Sequence, residues 1–468
     1  MKEKKTPSFF VAIFPILLLA VLIGVGFGIY RYSVEVFLLI ATFITALIAM
    51  YYGTTWKEIS DAISEKVGKA FMAVFIFVFV GMIIGTWMLS GTIPMLIYYG
   101  LKLLNPQLFL VSAFLITTIV SVCTGTSFGS MGTVGLALMG VAMGLGVNLA
   151  AAAGAVVSGA YFGDKMSPLS DTTNLAPVAA GCGLFEHIGH MFYTTIPASI
   201  LCLIVYFIAG RSSSIVSATD TAASQAIMDG LSSMFNFNIL LLIPLVIVLV
   251  CSFKGMPTVP VMFAASVAAV ILAMIFQGST LGEGITAAYS GYATSMCRQD
   301  TAEVADTVLT LVVRGGMTSM MTTVLKVLCA FTFAGVMTAA GFMEVILNTL
   351  KSFVHSDGTL ILVTVIATIV VSIVAGNAYI PILLSGELFQ EAFKERGLKS
   401  KNLSRVLEDA GTVVIPLVPW SAGGSYAAST LGVATMAYFP WAIFCYTGFL
   451  FDIILGFTGI GIAREEKA

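Results

Sequence analysis

The chain has 468 residues, of which 58% are hydrophobic and only 10% are charged, and its formal net charge is -2. The apolar runs reach membrane-spanning length, so the composition predicts an all-α polytopic membrane protein. The charge balance gives no basic surface for nucleic acid, and the seven scattered cysteines match neither a disulfide framework nor a metal site.

In chain order, the first half begins with apolar segments near 9–30, 35–53 and 70–90. The first of these follows basic residues but lacks a small-residue cleavage site, so we expect a retained span. Residues 107–147 then form two apolar arms around the uncharged tip TGTSFGS at 124–130. Two full spans are possible there, but a re-entrant hairpin fits better because such a tip suits a buried site.

A broken helix at 150–180 is the feature around which the chain is organised. Its first half consists mainly of apolar residues with small side chains. Its second half concentrates polar residues around a proline, namely Asp164, Lys165, Ser167, Pro168, Ser170, Asp171, Thr172, Thr173 and Asn174. Lipid cannot surround such a segment, so it must be buried in protein or line a water-filled cavity. A broken helix of this kind predicts an ion or substrate site.

The pattern of the first half recurs after a Ser, Ala and Thr rich stretch at 211–237, which we interpret as an extracellular linker. Four short sequence segments of the first half recur in the second half in the same order. GTTWKE recurs as GSTLGE, GTWMLSG as GVMTAAG, TIV unchanged, and AGAVV as AGTVV. The halves 1–210 and 238–468 are therefore predicted to be internal repeats. The second half has a hairpin at 359–393 with the tip AGNAYIP and a broken helix at 406–434.

Each repeat is predicted to contain five transmembrane helices plus one re-entrant hairpin. Because five crossings are an odd number, the two repeats must lie in opposite orientations, which makes them inverted repeats. With both termini in the cytoplasm, the outside segments contain only the basic residues Arg31, Lys102, Arg211, Arg298 and Arg314. This asymmetry satisfies the positive-inside rule.

Two hairpin tips and two broken helices are thus expected to converge near the middle of the membrane. The AGAVV and AGTVV words place Ser421 opposite Asp164, and residues 429–430 opposite 172–173. The shared lining would consist of hydroxyls, amides, backbone carbonyls and carboxylates. Such oxygens suit a hard cation such as Na+, and helix ends can also hold an anion. No cofactor is expected.

A family resemblance rests on these same segments. GDKMSPLSDTTNLAP at 163–177, the TGTSFGSMGTVG hairpin and the VPWSAGG break resemble the NhaC family of Na+/H+ antiporters, over nearly the whole chain. The chain length and N-terminal layout resemble the MleN-type branch, which exchanges Na+ and lactate for malate and protons. The resemblance implies Na+ and H+ coupling in a bacterial plasma membrane, by a homodimer whose hairpin domain moves against a scaffold.

Asp164 and Asp171 are the leading candidates for binding Na+ or carrying the exchanged proton, because an intramembrane carboxylate is costly without a function or a partner. The structural alternatives are that Asp164 pairs with Lys165 and that Asp171 caps the following helix. Other candidates for the cation or proton site are Ser167, Thr172, Thr173, Asn174, Thr126, Ser127 and Ser421. Candidates for binding a substrate anion are Lys165, Lys326, Thr124, Asn377 and Ser425.

Several other charged or titratable residues have competing interpretations. Lys326 and Asp452 lie in the middle of predicted spans, where they can form a structural ion pair, or Asp452 can relay protons. Glu408 and Asp409 are expected at the cytoplasmic edge of the second broken helix. His187, His190 and His355 are expected in loops.

These features together predict a secondary active antiporter that couples Na+ and H+ by alternating access, and no enzymatic activity. We expect exchange of Na+ and lactate for malate and H+, with plain Na+/H+ exchange as the alternative and an ion channel as a further one. The predicted partners are Na+, H+, malate, lactate and the lipid bilayer, with no nucleic acid.

Overall fold

The computed structural model describes residues 5–30, 32–212, 218–299 and 304–465. Within these residues the chain forms helices and one isolated β-bridge, between Leu398 and Arg464. Eight of the described helices are long and apolar enough to cross a membrane, or up to 11 if three sharply bent helix pairs each count as one span. The predicted all-α polytopic class is therefore confirmed.

The helices of the first half are α1 (Phe9–Ile23), α2 (Val34–Tyr51), α3 (Trp56–Ser90), α4 (Thr92–Leu103), α5 (Phe109–Thr124), α6 (Ser127–Ser130), α7 (Leu136–Gly144), α8 (Leu149–Met166), α9 (Asp171–Ala180) and α10 (Leu184–Ser212). Helix α11 (Ala218–Met234) occupies most of the segment predicted as a linker, whose residues 213–217 lie outside the described ones.

The helices of the second half are α12 (Ile243–Phe253), α13 (Thr258–Leu272), α14 (Leu281–Ser290), α15 (Asp306–Val312), α16 (Met321–Ala339), α17 (Phe342–Lys351), α18 (Asp357–Ala375), α19 (Tyr379–Glu395), α20 (Ser400–Gly411), α21 (Ala422–Leu431), α22 (Thr435–Tyr438) and α23 (Ile443–Thr458). Short 3-10 and π segments adjoin several of them, including 3-10 residues Ile415–Leu417 between α20 and α21.

The first break separates α8 from α9 at residues 167–170. Pro168 disfavours helical geometry at the residue before it, and Ser167 is accordingly extended, with φ -82° and ψ 128°. Small side chains let α8 pack closely against α5: a Cβ on Gly159 would lie 2.4 Å from the carbonyl oxygen of Phe114. The second break, between α20 and α21, is longer and contains two prolines, Pro416 and Pro419.

Equivalent local structures recur in the two halves in the same order. Capping boxes begin α3 and α14, at Thr55 with Glu58 and at Thr280 with Glu283. Left-handed glycines end α5 and α18, and the hydroxyls of Ser121 and Ser372 bond to the carbonyls of Ala160 and Ala410. These pairs agree with an internal repeat, while the inverted orientation in the membrane stays a prediction.

The register predicted for the two breaks is wrong. Ser170 is the N-cap of α9 and Ser421 is the N-cap of α21, so Ser421 corresponds to Ser170 and not to Asp164. The error arises because AGAVV and AGTVV consist of small and branched residues that recur by chance in a membrane protein. The contacts of Ala160 and Ala410 agree with the correspondence of the two N-caps to within one position.

Helix α20 is buried from Asn402 to Gly411 and carries two buried ion pairs. Arg405 Nε donates to Asp452 Oδ1 at 2.7 Å, and Lys165 Nζ donates to Asp409 Oδ1 at 2.5 Å, with all four side chains 0% exposed. The predicted pairing of Asp452 with Lys326 is therefore wrong, and so is that of Asp164 with Lys165.

Buried histidines of α10 face the same helix. His187 contacts the hydroxyl of Ser404 through Nδ1, and His190 contacts Arg405 and Asn402 through Nε2. The expectation that these two histidines lie in loops is wrong, whereas His355 does lie in a loop.

The expectation that Glu408 and Asp409 lie at the cytoplasmic edge is also wrong, because both side chains are fully buried. Because α20 begins at Ser400 and not near 406, these carboxylates lie farther along the half-helix.

Removing one partner of the Arg405–Asp452 pair should destabilise the protein strongly. Arg405→Leu leaves a buried carboxylate without its counterion, at a cost of about 3–5 kcal/mol. We expect a lower thermal unfolding midpoint for the purified protein in detergent, and recovery of most of that loss in the double variant Arg405→Leu/Asp452→Leu.

Arg396→Leu is the matched control, because Arg396 forms an ion pair near the surface. Its Nη1 lies 3.3 Å from Asp357 Oδ1, and the Arg396 and Asp357 side chains are 29% and 24% exposed. Such a pair contributes about 0–1 kcal/mol. Equal losses in Arg405→Leu and Arg396→Leu would contradict the structural role assigned to the buried pair.

Candidate functional site

One cavity of about 470 Å³ is bounded by both hairpin tips and both helix breaks. The first half contributes Asp164, residues 124–128 of its tip and residues 169–172 of its break. The second half contributes residues 377–379 of its tip, together with Thr412, Ile415, Ala422 and Gly423 around its break. Residues 255–260, from the turn after α12 into the first turn of α13, also line the cavity, as do Met72, Ile76, Tyr161 and Ser252. We call this space the central cavity.

Asp164 is a half-buried carboxylate that lines the central cavity. Ser127 donates its hydroxyl to Asp164 Oδ2 at 2.6 Å, and Ser170 donates to Asp164 Oδ1 at 2.6 Å. Hydrogen bonds to a charged acceptor are short and about twice as strong as neutral ones. The two bonds thus join the first hairpin tip and the first break through a single carboxylate.

Local sequence explains how the tip reaches Asp164. Gly125 ends α5 in the left-handed region, with φ +67°, and an added Cβ would lie 2.6 Å from the Cβ of Leu169 in the break. The chain then restarts at α6, where the Thr126 hydroxyl accepts from Gly129 N and places Ser127 in the first turn. Only glycine combines this backbone conformation with so close a contact.

Asp171 also lines the cavity but is more exposed than Asp164. Its Oδ2 accepts from the Tyr379 hydroxyl of the second tip at 3.4 Å, a long hydrogen bond. Asp171 is the first residue of α9, and the N-cap position belongs to Ser170, so the alternative in which Asp171 caps this helix is wrong. Thr172 follows, with its hydroxyl 3.2 Å from that of Ser170.

The two lysines predicted to bind an anion do not line the cavity. Lys165 donates to Asp409 and, at 3.0 Å, to Thr194, whose hydroxyl donates to the other oxygen of Asp409 at 2.7 Å. This arrangement neutralises the ammonium group inside the protein. Lys326 is half-buried in α16.

Several predicted ligands instead satisfy the backbone of the breaks. Ser167 donates to Val122 O, Thr173 to Asp164 O and Lys165 O, and Asn174 to Pro168 O and Ser170 O. In the second break Ser421 donates to Ile415 O, and Ser425 donates to Pro419 O. None of these five side chains lines the cavity, whereas Thr124, Thr126 and Asn377 do.

Sequence reasoning missed several side chains of the site. Ser170 was part of the recognised motif but not among its proposed ligands, although a serine before a restarting helix is a signal for an N-cap. Tyr161 lines the cavity one turn before Asp164. Glu408 lies behind the wall and accepts from Thr172 at 3.1 Å, while Asp452 is occupied by Arg405 away from the cavity.

The chemistry available at the cavity is that of oxygen ligands. Its polar lining consists of carboxylates, hydroxyls, one amide and backbone groups, and it contains no Lys, Arg, His or Cys among the described residues. Carboxylate and hydroxyl oxygens are suitable ligands for a hard cation. The same carboxylates can bind a proton in place of that cation.

Comparison with known proteins identifies the family. Residues 159–460 match the model of the Na+/H+ antiporter family, a range that includes both breaks and the second hairpin. The chain belongs to this family. The resemblance to NhaC proteins noted from the motif at 163–177 is confirmed by a relative of that name.

Three relatives illustrate the range of the family. An uncharacterized Na+/H+ antiporter of Haemophilus influenzae is 45% identical over 99% of this chain and 98% of its own length. The Na+/H+ antiporter NhaC of Alkalihalophilus pseudofirmus is 37% identical over 100% and 99%. The malate-2H+/Na+-lactate antiporter of Bacillus subtilis is 32% identical over 98% and 96%.

Replacing Gly125 by alanine should displace the first tip and weaken Na+ binding. The substituted residue combines an unfavourable left-handed conformation with a Cβ 2.6 Å from that of Leu169, so Ser127 must move away from Asp164. Loss of a hydrogen bond to a charged group corresponds to about a tenfold or larger increase in the apparent KM for Na+. Na+-driven proton flux in proteoliposomes measures this change.

Gly432→Ala is the control, because Gly432 has a similar φ of +72° with nothing within 4 Å of an added Cβ. This variant has only the conformational cost of placing alanine in a left-handed backbone conformation, so we expect slightly lower stability of the protein and an unchanged apparent KM for Na+. A similar rise in KM in both variants would contradict a specific contact between tip and break.

Proposed function

We propose that the protein exchanges Na+ for H+ at the central cavity, with Asp164 binding the two ions alternately and without an obligatory organic substrate. The observation that carries this proposal is the position of Asp164, where a half-buried carboxylate lines the cavity and accepts hydroxyl hydrogen bonds from a tip and a break. Membership of the Na+/H+ antiporter family supports the exchanged ions.

Competition between the ions follows from the limited number of acceptor sites. Na+ approaching Asp164 needs several oxygens, which the carboxylate, the hydroxyls of Ser127 and Ser170, and the freed carbonyls of the breaks can supply. Protonation removes the negative charge that makes this site attractive to Na+. Either loaded form is a permitted cargo for alternating access, because only differences in binding can shift the conformational equilibrium.

The charge of the cavity favours plain exchange over the malate and lactate exchange predicted from sequence. Asp164 and Asp171 face the cavity, and Lys165, the predicted anion ligand, is paired with Asp409 outside it. An organic acid entering the empty cavity would meet two carboxylates and no described basic side chain. Like charges in a site of low dielectric repel each other strongly.

Coupled transport of an organic acid is the second candidate, and the size of the cavity favours it. A space of about 470 Å³ is larger than a Na+ ion requires. Bound Na+ would offset the negative lining, and Thr124 and Asn377 could then donate to a carboxylate. The Bacillus subtilis relative described by its name as a malate-2H+/Na+-lactate antiporter supports this possibility. The dimer, the bacterial plasma membrane and the cytoplasmic termini remain predictions.

The decisive measurement is proton flux in sealed proteoliposomes under a Na+ gradient, with and without lactate outside and malate inside. We expect flux driven by Na+ alone and abolished by Asp164→Asn, which cannot exchange a proton for Na+. Flux that requires both acids would support the second candidate, and flux that persists in Asp164→Asn would contradict the role of this carboxylate.

Ser127→Ala tests the ligand geometry. Loss of its hydrogen bond to Asp164 should raise the apparent KM for Na+ about tenfold, since bonds to charged groups contribute about 1.5–3 kcal/mol. Ser167→Ala is the matched control, because the Ser167 hydroxyl donates to Val122 O and does not line the cavity. Equal KM changes in the two variants would argue against Ser127 as a ligand of the site.

A further inference from the structure

Glu408 is a fully buried carboxylate next to the central cavity that plain exchange at Asp164 does not use. It lies on α20, and its Oε1 accepts from the Thr172 hydroxyl at 3.1 Å. Its Oε2 is buried and has no hydrogen-bond partner among the described residues. Burying an ionised carboxylate with an unpartnered oxygen is costly.

No basic side chain among the described residues forms an ion pair with Glu408. Lys165 is engaged by Asp409 and Thr194, and Arg405, one turn earlier on α20, is engaged by Asp452. The two buried cations are therefore matched by two other buried carboxylates. Glu408 is left as an additional acidic group, and its ionised form would lack a counterion unless a cation enters the cavity.

Three short contacts connect Glu408 with Asp164. Asp164 Oδ1 lies 2.6 Å from the Ser170 hydroxyl, which lies 3.2 Å from the Thr172 hydroxyl, which lies 3.1 Å from Glu408 Oε1. Each hydroxyl supplies one hydrogen. If both carboxylates were ionised, the hydroxyls would donate outward to them, and no hydrogen would remain between Ser170 and Thr172.

One carboxyl proton completes this chain of hydrogen bonds. A proton on Glu408 lets it donate to Thr172, Thr172 to Ser170, and Ser170 to Asp164. Glu408 is the better place for that proton because Asp164 accepts from two hydroxyls at 2.6 Å, whereas Glu408 accepts from one, that of Thr172 at 3.1 Å, and its Oε2 has no partner among the described residues. Hydrogen-bond donors stabilise a carboxylate ion, so the group with fewer donors gains more from protonation.

We propose that Glu408 is a second proton carrier of the transport cycle, which holds a proton when the cavity lacks Na+ and releases it when Na+ binds beside Asp164. This proposal rests on the proposed Na+/H+ exchange. Na+ in the cavity supplies the missing positive charge and stabilises both carboxylates as ions. The hydrogen-bond chain accounts for the proton on Glu408, and the exchange proposed above adds a second proton, on Asp164. The balanced step therefore converts Na+ and these two carboxylic acids into a Na+-bound pair of carboxylates and two protons.

The consequence is electrogenic exchange. If Asp164 alone released a proton, one Na+ would exchange for one H+ without net charge movement. With Glu408 also releasing its proton, two protons exchange for one Na+, and the cycle moves one net charge. The number of protons per Na+ therefore reports on Glu408 separately from Asp164.

The experiment measures the Na+ gradient that stops net flux in proteoliposomes at a fixed tenfold proton gradient, with the membrane potential clamped at zero. Two protons per Na+ give zero flux at about a 100-fold Na+ gradient, and one proton gives it at about a tenfold gradient. We expect net flux in the wild type to stop at about a 100-fold Na+ gradient, and net flux in Glu408→Gln to stop at about a tenfold Na+ gradient. Glu391→Gln, an exposed carboxyl substitution on α19, should balance like the wild type.

Thr172→Val provides a second variant should Glu408→Gln fail to fold, because it keeps the shape and removes only the connecting hydroxyl. We expect it to balance near the tenfold gradient. A wild type that exchanges the ions and balances at about tenfold, or a Glu408→Gln variant that still balances at about 100-fold, would overturn the role of Glu408 and leave the proposed exchange intact. A wild type without Na+-driven proton flux would overturn the exchange itself.

Discussion

An interrupted helix inside a membrane protein leaves backbone groups without helical partners, and the neighbouring segments must satisfy them. Here each break is hydrogen-bonded to a hairpin, at its tip or at the end of its first arm. Gly376 O of the second tip accepts from Ala422 N, and Trp420 Nε1 donates to Ile373 O on α18. In the first break, Ser167 donates to Val122 O at the end of α5. Breaks and tips are therefore mutually dependent, and the cavity exists because they must meet.

This dependence also explains the arrangement of charge. In the part of the chain that the structure describes, the buried lysine and the buried arginine are each paired with a carboxylate, Lys165 with Asp409 and Arg405 with Asp452, and both pairs involve α20. Replacing such pairs by apolar groups often costs little stability. We therefore interpret the two pairs as fixing the position of α20 relative to α8, α10 and α23. Three carboxylates outside these pairs, Asp164, Asp171 and Glu408, lie at or beside the cavity.

Much of this could be predicted from sequence because the signals are local. Pro168 and the polar residues around it mark the first break, and the uncharged, glycine-containing tips mark the turns between apolar arms. Asp164 and Ser127 were predicted to share a site, and in the structure they are joined by a hydrogen bond. The ion pairs could not be predicted, since Lys165 and Asp409 are 244 positions apart and nothing in either segment specifies the other. Glu408 was misplaced because the start of α20 was set too late, which moved it from the interior to an edge.

The two breaks differ in length and content although the halves of the chain share their tips and caps. The first is short and follows the helix end that carries Asp164, whereas the second is long, contains two prolines and is followed by Ala422 and Gly423 of α21, which line the cavity. Asp164 and the two hydroxyls that donate to it come from the first half, whereas Tyr379 and the small residues of α21 that line the same cavity come from the second. Neither half alone therefore encloses the cavity.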